Sequence, residues 1–215
     1  ILLLDASGAA KEQKRTDSEI RREPCGVQPG ADETVRSACR RRIIIKNNKE
    51  EIEKTARAKL PAGQGVWPAF WTIGTDNRYG DWPAKGEIDI FEFWKNKEGK
   101  YVLQSAIHWK DKNGKYRQSN KKITDRKFTE GFHTFALEWD PEKLVFFFDE
   151  EPFFTFRTEQ CSNGDFNAFR APHFLLLNLA IGGTLGGKVD KSILPATYLI
   201  DYVRVYQKTA EKAGK

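Results

Sequence analysis

The chain has 215 residues, a formal net charge of +6, 39% hydrophobic residues and 31% charged residues. That length buries a sizeable single core, and no apolar run approaches the roughly 20 residues needed to span a bilayer. The positive charge does not make a nucleic-acid binder, because Lys and Arg are spread along the chain without an RNA- or DNA-binding signature. They are densest at Arg40-Arg41-Arg42 and over residues 110–122. A basic surface of this kind suits an anionic polysaccharide.

The first fifty residues hold two strand-like runs, at 1–4 and 43–46. Between them, residues 11–42 are polar, charge-dense and without strand periodicity. Cys25 and Cys39 lie there and could pair, which leaves Cys161 over; an odd count gives no disulfide framework. The chain opens on Ile, holds no Met and shows no leader peptide, so a fragment or a processed product is expected.

From residue 56 onward the strand reading is consistent. Apolar or alternating runs occupy 66–73, 87–94, 101–109, 133–139, 144–149, 173–181 and 198–207. Turn signals separate them at Lys112-Asn113-Gly114, Asp140-Pro141-Glu142, Ser162-Asn163-Gly164-Asp165 and Gly182-Gly183. Many short strands with few helical patterns predict an all-β, antiparallel two-sheet sandwich.

The run Gly86-Glu87-Ile88-Asp89-Ile90-Phe91-Glu92 carries the chemistry. On a strand, Glu87 and Asp89 point to one face and Glu92 to the other. A β-bulge near Phe91 would return Glu92 to the face of its two neighbours. Ile88 and Ile90 would then face the core. Acid runs are usually solvated, but these are interleaved with Ile and Phe, and packing three acids on one face costs stability. A hard-cation site would suit the carboxylates, yet a stiff strand makes a poor metal loop. A glycosidase pair, one nucleophile and one acid/base, is the reading the surroundings favour. Trp67, Trp71 and Trp82 lie just upstream, and Trp67 and Trp71 share strand parity. Such rings stack on the apolar faces of sugars.

The segments LPAGQGVWPAFW, DWPAKGEIDIFE, FALEW and NLAIGG…IDYVRVYQ resemble glycoside hydrolase family 16, most of all its laminarinase, or endo-β-1,3-glucanase, branch. The resemblance runs from about Thr55 to Gln207. It implies a β-jelly-roll sandwich with a cleft on the concave sheet and a retaining mechanism. It makes Glu87 the nucleophile, Glu92 the acid/base and Asp89 the residue that tunes Glu87. A retaining pair lies about 5–5.5 Å apart, with one member raised in pKa by its neighbours. Trp67, Trp71, Trp82 and His108 are expected to bind substrate. His108 belongs beside the acids by resemblance, although a structural role stands equally open. His133 and His173 read as structural. Asn178 either satisfies a buried backbone group or reaches the cleft, and the first is favoured.

The resemblance divides the chain into a divergent N-terminal segment (1–50), a catalytic domain (51–208) and a charged tail (209–215). Family members carry strands where residues 1–50 stand, and their Tyr-Gly-x-x-Glu-Ala-Arg approach reads Glu51-Ile52-Glu53-Lys54-Thr55-Ala56-Arg57 here. The segment is a disordered insertion, a divergent cleft wall, or sequence foreign to the fold. No cofactor is required for the chemistry. Asp201 matches a position where many members bind a structural calcium. The implied partner is β-glucan, met outside the cell by a secreted monomer, without nucleic acid or membrane. Sulphated galactan and a non-catalytic glucan-binding role are the alternatives.

Overall fold

A computed structural model describes residues 43–45 and 52–207. It contains thirteen strands, β1 (Ile43–Ile45), β2 (Ile52–Lys59), β3 (Val66–Gly74), β4 (Glu87–Lys95), β5 (Tyr101–Lys110), β6 (Tyr116–Ile123), β7 (His133–Trp139), β8 (Lys143–Phe148), β9 (Glu151–Arg157), β10 (Ser162–Asn163), β11 (Phe166–Asn167), β12 (His173–Ile181) and β13 (Leu199–Gln207). One helical turn, α1 (Gly183–Gly186), follows β12. The predicted strand at 1–4, Cys25, Cys39 and the Arg40–Arg42 cluster lie outside the described residues.

Two antiparallel sheets form the sandwich expected from the sequence. A six-stranded sheet runs β1-β12-β3-β4-β5-β6, and a five-stranded sheet runs β13-β2-β7-β8-β9. Alternating strands bury one face of each. Phe70, Ile88, Phe91, Phe93, Leu103 and Ile107 from the first sheet meet Ala56, Ala58, Phe135, Leu137, Trp139 and Phe146 from the second. Phe91 and Phe135 touch across the layers with ring centroids 4.1 Å apart. Each large side chain so buried stabilises the fold by roughly 1.5–3 kcal/mol.

The turns use the residues expected of them. Asp140 Oδ1 accepts from the Glu142 and Lys143 amides in the β7–β8 hairpin. Asp111 Oδ1 accepts from Asn113 and Lys115 between β5 and β6.

Five strands escaped the sequence reading: the two-residue β10 and β11, at a stretch it took for a turn, and β2, β6 and β9. In β2, Glu53, Lys54, Arg57 and Lys59 mask the apolar pattern. In β9, Pro152 sits at an irregularity in the pairing with β8, where a missing amide costs nothing to the ladder. In β6, nearly every residue is exposed.

His173 is buried in the core. Its Nδ1 lies 3.0 Å from Thr72 Oγ1 and its Nε2 lies 2.9 Å from the Ala168 carbonyl. Burial, with Lys54 nearby, lowers it to about 3, so it is neutral. His133 holds Asp149 and the Lys127 carbonyl. Both histidines are structural. Cys161 is buried and free.

Candidate active site

The site is built on β4 by one irregularity. Phe70 pairs with Phe91 but Trp71 pairs with Asp89, so β4 carries one extra residue. Against β5, Asp89 pairs with Ala106 and Glu92 with Gln104. Ile90 and Phe91 therefore both face Ser105, and both are buried. The Ser105 hydroxyl donates to the Ile90 carbonyl at 2.6 Å. This bulge brings Glu92 onto the face of Glu87 and Asp89. Upstream, Gly86 has φ 77°, and a Cβ there would come within 2.7 Å of the Ala168 methyl. Only glycine fits that entry to the strand.

The pairing registers place the neighbouring strands' side chains on the same face. Glu92 stands in a row with Lys122, Gln104, Ala69 and Asn178. Asp89 stands with Asn120, Ala106, Trp71 and Leu176, and Glu87 stands with Gln118 and His108. The Trp67 indole donates to Glu92 Oε1 at 3.1 Å, and the Gln104 amide donates to Glu92 Oε2 at 3.0 Å. Gly183, at φ 78°, lies against the Trp67 ring, where a Cβ would come within 3.0 Å. The Trp71 indole donates to Asn178 Oδ1 at 2.8 Å. Asn178 thus serves a side chain on the site face rather than a backbone group, which corrects the sequence expectation.

Trp82 is half-exposed and leans over His108 and Tyr116, with centroids 6.2 and 5.6 Å away. His108 does stand beside the acids, its Nε2 3.1 Å from Asp89 Oδ2. Carboxylate oxygens of Glu87 and Asp89 and a His108 ring nitrogen all lie within 4.8 Å of one another.

All three carboxyls are pushed upward, not one alone as expected. Burial and then Asp89 raise Glu87 to about 8, opposed by His108 and by the Trp82 indole. Burial and Glu92 raise Asp89, and burial raises Glu92 against the pull of Gln104 and Trp67. The sequence expectation missed that the flanking strands bury Asp89 and partly bury Glu87 and Glu92. At neutral pH the cluster therefore shares protons.

Gln104, Tyr116, Gln118 and Lys122 were not found from sequence. Gln104 was within reach, since it shares strand parity with His108. The other three sit on β6, which gives no periodic signal.

Asp201 lies apart from this face, at the irregularity where β13 pairs with β2. Its Oδ2 accepts from Arg57 Nη1 at 2.6 Å. With Arg57 on one carboxylate oxygen, Asp201 would offer a calcium only the other.

Residues 53–204 match the family model described as glycosyl hydrolases family 16. The chain belongs to this family. It is 35% identical over 160 residues to a beta-glucanase of Rhodothermus marinus, covering 70% of this chain and 55% of that protein. It is 34% identical over 164 residues to glucan endo-1,3-beta-glucosidase A1 of Niallia circulans, covering 70% of this chain and 23% of that one. The chain thus spans about half, or less, of the length of these curated relatives. The X-ray structure of an endo-beta-1,3-glucanase from Pyrococcus furiosus superposes with a TM-score of 0.66 at 31% identity, covering 81% of this chain and 68% of that one. The family's jelly-roll sandwich is the fold described above.

Proposed function

We propose that this family 16 chain is a retaining endo-glycosidase that cleaves β-1,3 or mixed β-1,3-1,4 glucan. The observation that carries the proposal is the bulge that sets Glu92 beside Glu87 and Asp89 on a tryptophan-lined face. In the state of the cluster that leaves Glu87 ionised and the shared proton on Glu92, Glu87 attacks the anomeric carbon as Glu92 gives that proton to the leaving oxygen. Glu92 then takes a proton from water, which displaces Glu87 and releases the sugar with its configuration retained. Trp67 and Gln104 orient Glu92 through the hydrogen bonds described. Trp82, Trp71 and His108 supply the sugar-facing wall. The chemistry uses no cofactor. The protein acts outside the cell as a monomer on polymer, without membrane or nucleic-acid partners. No helix among the described residues is long and apolar enough to cross a membrane.

A second reading has one observation in its favour. Lys122 shares the row of Glu92 and Gln104, where its ammonium would suit a sulphated galactan.

The test is reducing-sugar release from laminarin, lichenan, agarose and κ-carrageenan. Glu87→Gln and Glu92→Gln should each lower turnover by roughly three orders of magnitude or more, with unchanged circular dichroism. A variant with near-normal rate would remove the assignment. Release from carrageenan alone would select the second reading, and no release from any polymer would favour a glucan-binding protein.

A further inference from the structure

We propose that Tyr116 is a positioning residue that, through His108, keeps the His108–Asp89 pair neutral. The tyrosine stands on β6, one strand beyond His108 and two beyond the acids. Its hydroxyl oxygen lies 2.8 Å from His108 Nδ1. Its single proton goes to Gln118 Oε1 at 3.1 Å. The phenol oxygen therefore accepts, and His108 Nδ1 carries the hydrogen. Burial and the charges of Glu87 and Asp89 push the phenol upward, so it keeps its proton at neutral pH.

With Nδ1 protonated, Nε2 bears a hydrogen only when the ring is a cation. Nε2 faces Asp89 Oδ2 at 3.1 Å. That oxygen is buried and has no aligned hydrogen-bond donor. A nitrogen lone pair against an ionised oxygen at this distance repels. The contact becomes favourable with one proton on the pair, as imidazolium and carboxylate or as imidazole and carboxyl. Both arrangements have zero net charge. The other neutral tautomer, with hydrogen on Nε2, would leave Asp89 ionised and the pair at one negative charge. Tyr116 disfavours that state because it offers Nδ1 an acceptor.

The consequence falls on Glu87, two residues before Asp89 on the same face. A neutral pair lets Glu87 ionise for attack, whereas a charged Asp89 holds its proton on. The other groups facing the pair are few. Glu92 stands on β4, Lys110 on β5 opposite Tyr116, and Lys122 on β6. β3 and β12 present Trp67, Trp71 and Asn178, none of which titrates. In the loop before β4, Asp81 and Lys85 are paired with each other at 2.7 Å.

The inference rests on the glycosidase reading for its kinetic arm alone, so two measurements are made. Tyr116→Phe keeps the ring, which lies parallel to His108 within 4°, and removes the acceptor. Gln118→Ala frees the phenol proton to donate to Nδ1 instead. Nitrogen-15 NMR reads the His108 tautomer in the resting protein, with His108→Asn identifying its signals among the three histidines. The wild type should show hydrogen on Nδ1, alone or in the cation, and both variants should show the neutral Nε2–H form. On laminarin, the acidic limb of the kcat/KM profile should move up by about one pH unit in both, with the basic limb in place. A neutral Nε2–H form in the wild type, a Tyr116→Phe tautomer like the wild type's, or equal scaling of both limbs would overturn the proposal. A wild type that cleaves nothing leaves the NMR arm to decide and counts against the glycosidase reading alone.

Discussion

Replacing Lys54 by Met should stabilise this protein. Lys54 points into the core between Leu137 and Val205 and is fully buried. Its amine has no hydrogen-bond partner and sits 3.5 Å over the Trp139 ring. Burial lowers its pKa well below that of a free lysine. Removing a buried unsatisfied polar group recovers about 1–3 kcal/mol, and losing the contact with the indole gives back about 0.5–1 kcal/mol. The net gain is roughly 1–2 kcal/mol, or about 2–8 °C in Tm for a domain of this size. The sign of the pH dependence follows from proton counts. Between the lowered folded value and 10.5, the unfolded chain binds more protons, so wild-type stability rises with pH. Methionine carries no such dependence. The variant's advantage should shrink as pH rises from ~7 toward ~10.5. Thermal melts at a series of pH values measure it. A variant no more stable than the wild type at pH ~7, or a gap that ignores pH, would refute the reasoning.

Glu87 binds its proton more tightly folded than unfolded, with a value raised from 4.5 to about 8. That contribution is complete at low pH and is lost as pH rises through 8. Glu87→Gln should therefore gain stability over the wild type across that window, on the order of 3 kcal/mol once residual solvation is allowed for. A difference that stays flat with pH in urea titrations would contradict the burial argument. Ser105→Ala removes the buried donor to the Ile90 carbonyl, and should cost roughly 1–3 kcal/mol. It should also slow laminarin cleavage, because Glu92 depends on that bulge; a variant equal to wild type in both would show the bulge needs no pin. Trp67→Phe deletes the indole donor to Glu92 and should raise the basic limb of the pH–rate profile by roughly half a unit. An unmoved limb would mean Glu92 is not the acid.

The bulge was legible because parity demanded it. Glu92 sat on the wrong side of an otherwise regular strand, and only one extra residue could bring three acids together. Parity also placed Trp67 and Trp71 correctly. β6 was not legible, because solvent lies on one side and the polar, acid-bearing face on the other, so no apolar alternation marks it. Tyr116 and Gln118 went unseen with it. β2 was hidden by Lys54, a charged-type residue in a core position that local pattern cannot distinguish from surface. The shared upward shift of the acids was also invisible, since burial depends on how closely the flanking strands pack.

One margin of the acid-bearing face is an edge strand. Tyr116, Gln118, Asn120 and Lys122 belong to β6, which among the described residues hydrogen-bonds to β5 alone. Surface substitutions of this kind usually change stability by only about 0.5 kcal/mol. Glu92 and Trp67, on central strands, have no such freedom. Under the proposed glucanase reading, the fold separates what cuts from what recognises. Residues of that margin can be replaced one by one at little cost in stability, while the acids' strand is held by the core. Lys121 and Lys122 also keep this open edge from pairing with another chain, so recognition and solubility are bound to one strand.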